Sequence, residues 1–344
     1  MTGLAAALPP PSLDAFWGPS SNATFAVPVV VSALALLYLI GALTQWARRR
    51  RWSVLRVISF IAGCAAVVVT TGSALEDYSQ VMLSVFMFEQ LTLMMLVPPL
   101  LVLGSPGRLL LRSVPHRGLG RLVLIASLSL LRSRPARLLF HPALSVAVFL
   151  LLFYGLYLAE LLDPILSMPG GHLALELAFL GAGLVFTIPI LSDDPSPIRL
   201  SYPARALDLA AEVALHAFFG VFLMVSPTLV SDYFATPPDS LAIDPLVDQG
   251  VAGGLAWSYG EGPTVLMLLY ILHRWFTDDT RRAQAADARA DRYGDTDLDA
   301  YNEYLARLRG TAAPDASSTE RAAAAGEPGA DPPSGYGSIS GGAG

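Results

Sequence analysis

The chain has 344 residues, of which 53% are hydrophobic and only 15% are charged, and its formal net charge is −6. Because soluble domains carry about 25% charged residues, this composition excludes an ordinary soluble protein and indicates a membrane protein. The sequence has no Walker loop, no dinucleotide-binding glycine pattern and no HExxH or CxxC motif. Cys64 is the single cysteine, so no disulfide can form within the chain.

Apolar runs long enough to cross the ~30 Å hydrocarbon core of a membrane recur along the sequence. We predict an all-α fold, a polytopic membrane protein built as a bundle of seven transmembrane helices. The predicted spans are Ala26–Trp46, Val54–Ala74, Val81–Leu103, Pro142–Leu162, Gly171–Leu191, Ala206–Val230 and Gly250–Phe276. The last is interrupted by the segment GEGP at 260–263, where a kink or break is expected because proline lacks an N–H and glycine is flexible.

The arginines predict how the chain lies across the membrane. All 22 basic residues are arginine, and in the seven-span arrangement they fall on one side, whereas the opposite loops carry acids such as Glu76, Asp163 and Asp248. By the positive-inside rule, the N-terminus is expected outside and the C-terminus in the cytoplasm. Since the arginine clusters flank the spans, we interpret them as topology signals and not as nucleic-acid-binding patches.

The chain is therefore predicted to have four parts. Residues 1–25 form an extracytoplasmic N-terminal segment, and residues 26–276 form the seven-helix membrane domain. A partly helical cytoplasmic segment is expected at 277–309, followed by a disordered tail at 310–344 that is rich in Ala, Gly, Pro and Ser. Between spans three and four, apolar residues of 107–140 alternate with arginines, which favours a helix along the cytoplasmic surface.

Polar side chains inside the predicted spans are the candidate functional residues, because an ionisable group in hydrocarbon is costly without a partner, a cavity or a cation. His172 and Glu176 are four residues apart, so they share one helix face. Asp208, Glu212 and His216 follow one another at the same spacing in span six. The whole set comprises Glu89, Gln90, His172, Glu176, Asp208, Glu212, His216 and Glu261.

Two interpretations of these side chains stay open. In the first, they point into the bundle and bind a metal or relay protons; thioethers favour Cu(I), whereas imidazole and carboxylate accept a wider range of metals. In the second, each acid is protonated, hydrogen-bonded to a neighbour, and only fixes helix packing. The candidate ligands are Met87, Glu89, Met94, His172, Glu176 and His216, and the other buried polar residues are Gln90, Asp208, Glu212 and Glu261.

The two histidines are not expected to share a site. His172 begins span five at its outer end, whereas His216 lies about ten residues, or ~15 Å, into span six from the cytoplasmic side. We therefore expect no single high-affinity centre that contains both.

Several motifs in this order resemble the CtaG-type cytochrome c oxidase assembly factors of bacteria. The likeness runs from about Ala26 to about Arg309. The motifs are LTLMMLVPPLLVLGSP after Glu89, ELAFLGAGLVFTIPILSDDPSPIRLSYPARAL from Glu176, HAFFG from His216, DPLVDQ from Asp244 and GEGP from Gly260.

The resemblance implies a non-enzymatic membrane assembly factor that matures haem-copper oxidases. Its partners would be cytochrome c oxidase subunits, and copper would be the metal that it supplies or holds for the catalytic subunit. The family usually has two histidines in the span-three motif, at the positions of Phe86 and Gln90, and often one at the position of Leu177. Without them, we expect weaker copper affinity than in a relative with the full set.

Two other functions are left open by the sequence. A diverged membrane scaffold or partner subunit would bind no metal. A small-molecule or proton-coupled transporter would also account for buried acids next to a broken helix. Internal inverted repeats would favour the transporter, and the sequence shows none.

Overall fold

A computed structural model describes residues 8–20, 26–115, 117–194, 198, 200–293 and 296–312. The secondary structure of these residues is helical, and one isolated β-bridge joins Pro19 to Ser73. The predicted all-α class is confirmed for the described part of the chain. Of the expected N-terminal segment 1–25, residues 8–20 are described, whereas the expected tail 310–344 lies outside the described residues except for 310–312, which are helical.

The first half of the chain forms helices that are interrupted by one π-helical turn. The helices are α1 (Leu13–Phe16), α2 (Ala26–Ala47), α3 (Val54–Gly72), α4 (Leu75–Ser79), α5 (Leu83–Leu91), α6 (Val97–Leu103), α7 (Pro106–Ser113), α8 (Leu119–Arg132) and α9 (Arg134–Leu139). The π turn, Thr92–Leu96, joins α5 to α6. The connection expected to form an amphipathic helix is therefore divided into short helices.

The second half contains the longest helix and a second π turn. The helices are α10 (Pro142–Leu150), α11 (Leu156–Leu158), α12 (Leu162–Ser167), α13 (Gly171–Leu191), α14 (Tyr202–Val225), α15 (Pro245–Ser258), α16 (Glu261–Tyr293) and α17 (Thr296–Ala312). The π turn, Leu151–Gly155, lies between α10 and α11. Short 3-10 turns at Asp232–Phe234 and Asp239–Leu241 lie between α14 and α15.

Within the described residues, five helical segments are long and apolar enough to cross a membrane, which indicates a multi-pass membrane protein. They are Ala26–Ala47, Val54–Gly72, Leu83–Ser113, Gly171–Leu191 and Tyr202–Val225. The predicted count of seven is not confirmed. Predicted span four is a shorter apolar helix, Pro142–Leu158, and predicted span seven divides at Gly260 into α15 and α16, because the GEGP segment ends one helix and begins the next.

The segment Leu83–Ser113 is the central element of the bundle, since 78% of its most apolar window is buried. Its first part, α5, packs against α13 and α15, and α6 packs against α3 and α13. Gly183 of α13 allows the closest approach, because a Cβ there would collide with the carbonyl oxygen of Met94 and the ring of Pro98. The helix that carries Glu89 is therefore enclosed by its neighbours.

Two glycines set the crossing of α14 and α15. A Cβ on Gly220 would lie 2.8 Å from the carbonyl oxygen of Gly253, and a Cβ on Gly253 would collide with Met224 and Gly220. Small residues that bring helix backbones together are the usual device of membrane helix pairs. This contact places His216, one turn before Gly220, against the start of α16.

One carboxylate gathers arginines from three parts of the chain. Asp193 lies 3.2 Å from Arg56 and 3.6 Å from Arg108, and it also pairs with Arg274. The neighbouring Asp194 accepts hydrogen bonds from the backbone N–H groups of Gly107 (2.8 Å) and Arg108 (2.9 Å). Three of the arginine clusters seen in the sequence therefore meet at one end of the bundle.

The chain divides into two compact units, Met1–Phe276 and Thr277–Gly344. In the second unit, α17 is stabilised by an ion pair between Glu303 and Arg307, whose atoms lie 3.0 Å apart at the favourable i, i+4 spacing. The apolar clusters and the polar sites described below belong to the first unit.

Candidate metal centre

A histidine and three carboxylates from three helices converge at one end of the first unit. They are Glu76, Glu89, His172 and Glu176. Glu76 lies on the short helix α4, and Glu89 lies on α5. His172 and Glu176 occupy the first two turns of α13, which begins after Gly170, a glycine with φ of 79° that turns the chain into the helix.

The geometry of the cluster is compact. His172 Nδ1 lies 3.2 Å from Glu76 Oε1 and 3.2 Å from Glu176 Oε1, and Nε2 lies 3.6 Å from Glu89 Oε2. Ser79 Oγ is 3.0 Å from Nε2. One ligand atom from each of the four residues lies within 4.8 Å of the others. That convergence is what a metal ion requires of its ligands.

The carboxylates are almost completely removed from solvent. Glu89 is 1% exposed, and Glu76 and Glu176 are each 5% exposed. In the described part of the chain, both oxygens of Glu89 and one oxygen of Glu76 have no hydrogen-bond partner, and His172 Nδ1 is close to its acids but outside hydrogen-bonding geometry. These unsatisfied atoms fit a cation, because a buried polar atom without a partner is otherwise costly.

The charge balance of the cluster also favours a bound cation. One imidazolium can neutralise only one of the three carboxylates, and an unpaired ion in the interior costs several kcal/mol. Burial raises the pKa of the Glu76 carboxyl, but the interactions with His172, Glu176 and Glu89 together more than offset this effect, so the pKa lies below its ordinary value. The cluster therefore needs either protons on its acids or a cation between them.

Phe86 and Gln90 line α5 beside Glu89 and are fully buried. The Phe86 ring lies 5.5 Å from the His172 ring, edge to face, so an aromatic side chain abuts the cluster at a position where the resembled family has a histidine. Neither the oxygen nor the nitrogen of the Gln90 amide has a hydrogen-bond partner among the described residues. The structure therefore contains an amide with unused donor and acceptor capacity on the same helix.

The remaining predicted site residues lie elsewhere. Met87 and Met94 are buried in the main apolar cluster with Phe153 and Phe219. His216 is completely buried but is not a member of the His172 group. That metal binds at any of these residues stays a prediction.

The other buried polar residues predicted from the sequence are placed unevenly. Glu212 is 5% exposed, and one of its oxygens has no hydrogen-bond partner in the part of the chain that is described. Asp208 and Glu261 are only half-buried, because both lie in the first turns of their helices. The prediction that these two are buried was therefore too strong.

Sequence reasoning missed Glu76 and Ser79 as members of the cluster. Glu76 was assigned to an acidic loop after span two, whereas it lies on α4 and is buried. Asp248, assigned to another acidic loop, is also buried and accepts hydrogen bonds from the backbone and side chain of Ser84. A pair of acids directly after an apolar span was the available signal.

The apolar helices and the buried cluster define a multi-pass helical protein whose interior contains a group of one histidine and three carboxylates. The chain belongs to the cytochrome c oxidase caa3 assembly factor family, whose profile matches residues 36–278. The resemblance seen in the sequence motifs is thereby confirmed.

Three mycobacterial proteins are similar over most of this chain. Uncharacterized proteins of Mycobacterium bovis and Mycobacterium tuberculosis are each 37% identical over 279 residues, which cover 80% of this chain and 42% of theirs. An uncharacterized protein of Mycobacterium leprae is 35% identical over 289 residues, 81% of this chain and 44% of its own. The chain thus spans less than half the length of these curated relatives. No solved structure matches it.

Proposed function

We propose that this protein is a non-enzymatic assembly factor of the bacterial plasma membrane that helps to mature a cytochrome c oxidase. In this function it holds a divalent transition-metal ion, copper as cargo, for the catalytic subunit. The observation that supports the metal is the convergence of His172 with Glu76, Glu89 and Glu176. The assembly role is supported by the family match over residues 36–278.

The donor set selects the type of ion. One imidazole nitrogen and carboxylate oxygens suit divalent ions such as Cu²⁺ and Zn²⁺, whereas Cu⁺ prefers thioether and thiolate sulfur. Among divalent first-row ions, Cu²⁺ binds such sites most tightly. A doubly charged ion would also neutralise the carboxylates that His172 leaves unbalanced.

The topology determines on which side of the membrane the cluster lies. We propose an N-terminus outside and a C-terminus in the cytoplasm, supported by the arginines that meet at Asp193. Asp193 follows the end of α13 and pairs with Arg56 at the start of α3, whereas the cluster lies at the start of α13 and on α4, after the end of α3. The cluster is therefore at the other end of these helices, which this topology assigns to the outer side. The metal would then be captured and released on the side where the N-terminus lies.

Metal binding by the purified full chain tests the proposal. Equilibrium dialysis against Cu²⁺ and Zn²⁺, followed by metal analysis, should give one ion per chain. His172→Gln should weaken binding by at least ~10-fold, because removing a ligand costs no less than removing an outer-shell partner. Glu212→Gln, a buried acid outside the cluster, is the matched control and should bind as the unaltered protein does.

A second measurement separates metal handling from assembly. The same variants, returned to a host that lacks its own copy, should restore oxidase activity only where metal binding is retained. If His172→Gln binds no metal and yet restores full oxidase activity, the protein acts as a scaffold and the metal proposal is wrong. If the unaltered chain restores no oxidase activity, the assembly role is wrong.

A further inference from the structure

His216 presents a second buried nitrogen that has no partner. The side chain is 0% exposed, and its Nδ1 lies 2.9 Å from the carbonyl oxygen of Glu212, one turn earlier in α14. A carbonyl oxygen can only accept, so Nδ1 carries the proton in the neutral ring and Nε2 carries a lone pair. Nε2 has no hydrogen-bond partner among the described residues.

A thioether faces the same small space. A Cβ built on Gly260 would lie 3.2 Å from His216 Nε2 and would collide with Met95 Sδ. Both atoms therefore border the volume that a side chain at position 260 would occupy. Met95 is 2% exposed and belongs to the π turn of the central helix.

This pairing is unfavourable without a cation. A thioether has no hydrogen to donate, and the free Nε2 has none either, so two electron-pair donors meet across one gap. Neither can reach water, because both are buried. Unpartnered polar atoms in such surroundings are rare and call for an explanation.

Gly260 leaves room for the Met95 sulfur beside His216. It lies between Ser258, the last residue of α15, and Glu261, the first residue of α16, where the backbone of the predicted span is broken. A side chain at position 260 would displace the Met95 sulfur.

We propose that His216 Nε2 and Met95 Sδ form a binding site for Cu⁺ in the interior of the bundle. The pair of one imidazole and one thioether suits a soft monovalent ion, and hard divalent ions prefer oxygen. The site contains none of the residues of the His172 cluster and does not rest on the function proposed for that cluster.

The site is tested by a competition titration of Cu⁺ against a chromogenic chelator, under anaerobic and reducing conditions with the full chain in detergent. We expect one Cu⁺ per chain at this site. Met95→Leu conserves volume, so the fold is retained, and it should weaken binding at least ~10-fold, since one of only two ligands is lost. Met267→Leu, at a buried methionine in another apolar cluster, is the matched control and should not change affinity.

Two further variants make the result specific. Gly260→Ala should also lower Cu⁺ affinity, because its methyl group would displace the Met95 sulfur. The double variant His172→Gln with Glu176→Gln should retain Cu⁺ binding, which separates this site from the first. X-ray absorption at the copper edge should show one nitrogen and one sulfur neighbour.

The proposal is overturned by no Cu⁺ uptake by the folded chain, by equal affinity of Met95→Leu and the unaltered protein, or by equal losses in Met267→Leu and Met95→Leu. A copper edge with oxygen and nitrogen neighbours alone would also contradict it. Loss of Cu⁺ only in the double variant would assign the ion to the His172 cluster instead.

Discussion

Replacing Glu89 by glutamine should change stability and metal binding in opposite directions. The substitution is isosteric and removes one charge from a side chain that is 1% exposed. Its oxygens have no hydrogen-bond partner among the residues that the structure describes, so the substitution breaks none of the hydrogen bonds seen there. The variant therefore isolates the charge of Glu89 from its shape.

The magnitude follows from the distances in the cluster. Ligand oxygens of Glu76 and Glu176 lie within 4.8 Å of Glu89, and at an effective dielectric constant of ~20 each repels it by about 3 kcal/mol or more. His172 Nε2 at 3.6 Å attracts it by about 4–5 kcal/mol when protonated. The net repulsion is about 2 kcal/mol, to which the loss of hydration adds.

At alkaline pH, where all three acids are ionised, Glu89→Gln should therefore stabilise the metal-free protein by about 2 kcal/mol. For a chain of 344 residues, that corresponds to a rise in Tm of about 3 °C, measurable by thermal unfolding in detergent. The same variant should bind Cu²⁺ or Zn²⁺ at least ~10-fold more weakly, because a neutral amide is a poorer ligand than a carboxylate. A lower Tm for the metal-free variant, or unchanged metal affinity, would refute the charge argument.

Glu212→Gln is the control for this experiment. Glu212 is buried to the same degree as Glu76 but has no acid of the His172 group beside it. Its replacement should leave metal affinity unchanged and should not reproduce the stabilisation.

Three further predictions follow from the arrangement of the helices. Phe86→His combined with Gln90→His should tighten metal binding at least ~10-fold, because an imidazole in place of a ring 5.5 Å from His172 adds a ligand; unchanged affinity in the same dialysis would contradict this. A reporter fused after Phe276 should be active only in the cytoplasm, and activity on the outer side would reverse the proposed topology. Gly220→Ala should destabilise the protein by about 1–3 kcal/mol or more, because its methyl group would lie 2.8 Å from the backbone of α15. Gly254→Ala is the control, since a methyl group there would have nothing within 4 Å. Equal Tm values for the two variants would contradict this prediction.

The sequence predicted the elements whose signals are local. Hydropathy identified the helical class, and the spacing of His172 and Glu176 predicted their shared face, which the structure contains at 3.2 Å. The break near Gly260 was also expected from its glycines and proline, and α15 and α16 are separate helices there.

The parts that escaped prediction depend on contacts between distant segments. Glu76 enters the cluster because α4 places it beside α13, and no local pattern specifies that contact. Met95 and His216 can border the same space only because residue 260 is a glycine, without a side chain. The span count depends on π turns and breaks in predicted spans four and seven, and hydropathy averaged over a window does not detect them.

The π turn makes the central helix unusually sensitive to insertions and deletions. It contains one residue more than a regular helix of the same rise, and each residue of an α-helix rotates the chain by ~100°. Deleting one residue from Thr92–Leu96 would restore regular geometry and rotate the residues beyond it by about that angle relative to Glu89. The oxygen donors before the turn and the sulfur donor within it could then no longer face their present partners together. Insertions and deletions, which surface loops tolerate, should therefore be excluded from this stretch even when they preserve its hydrophobicity.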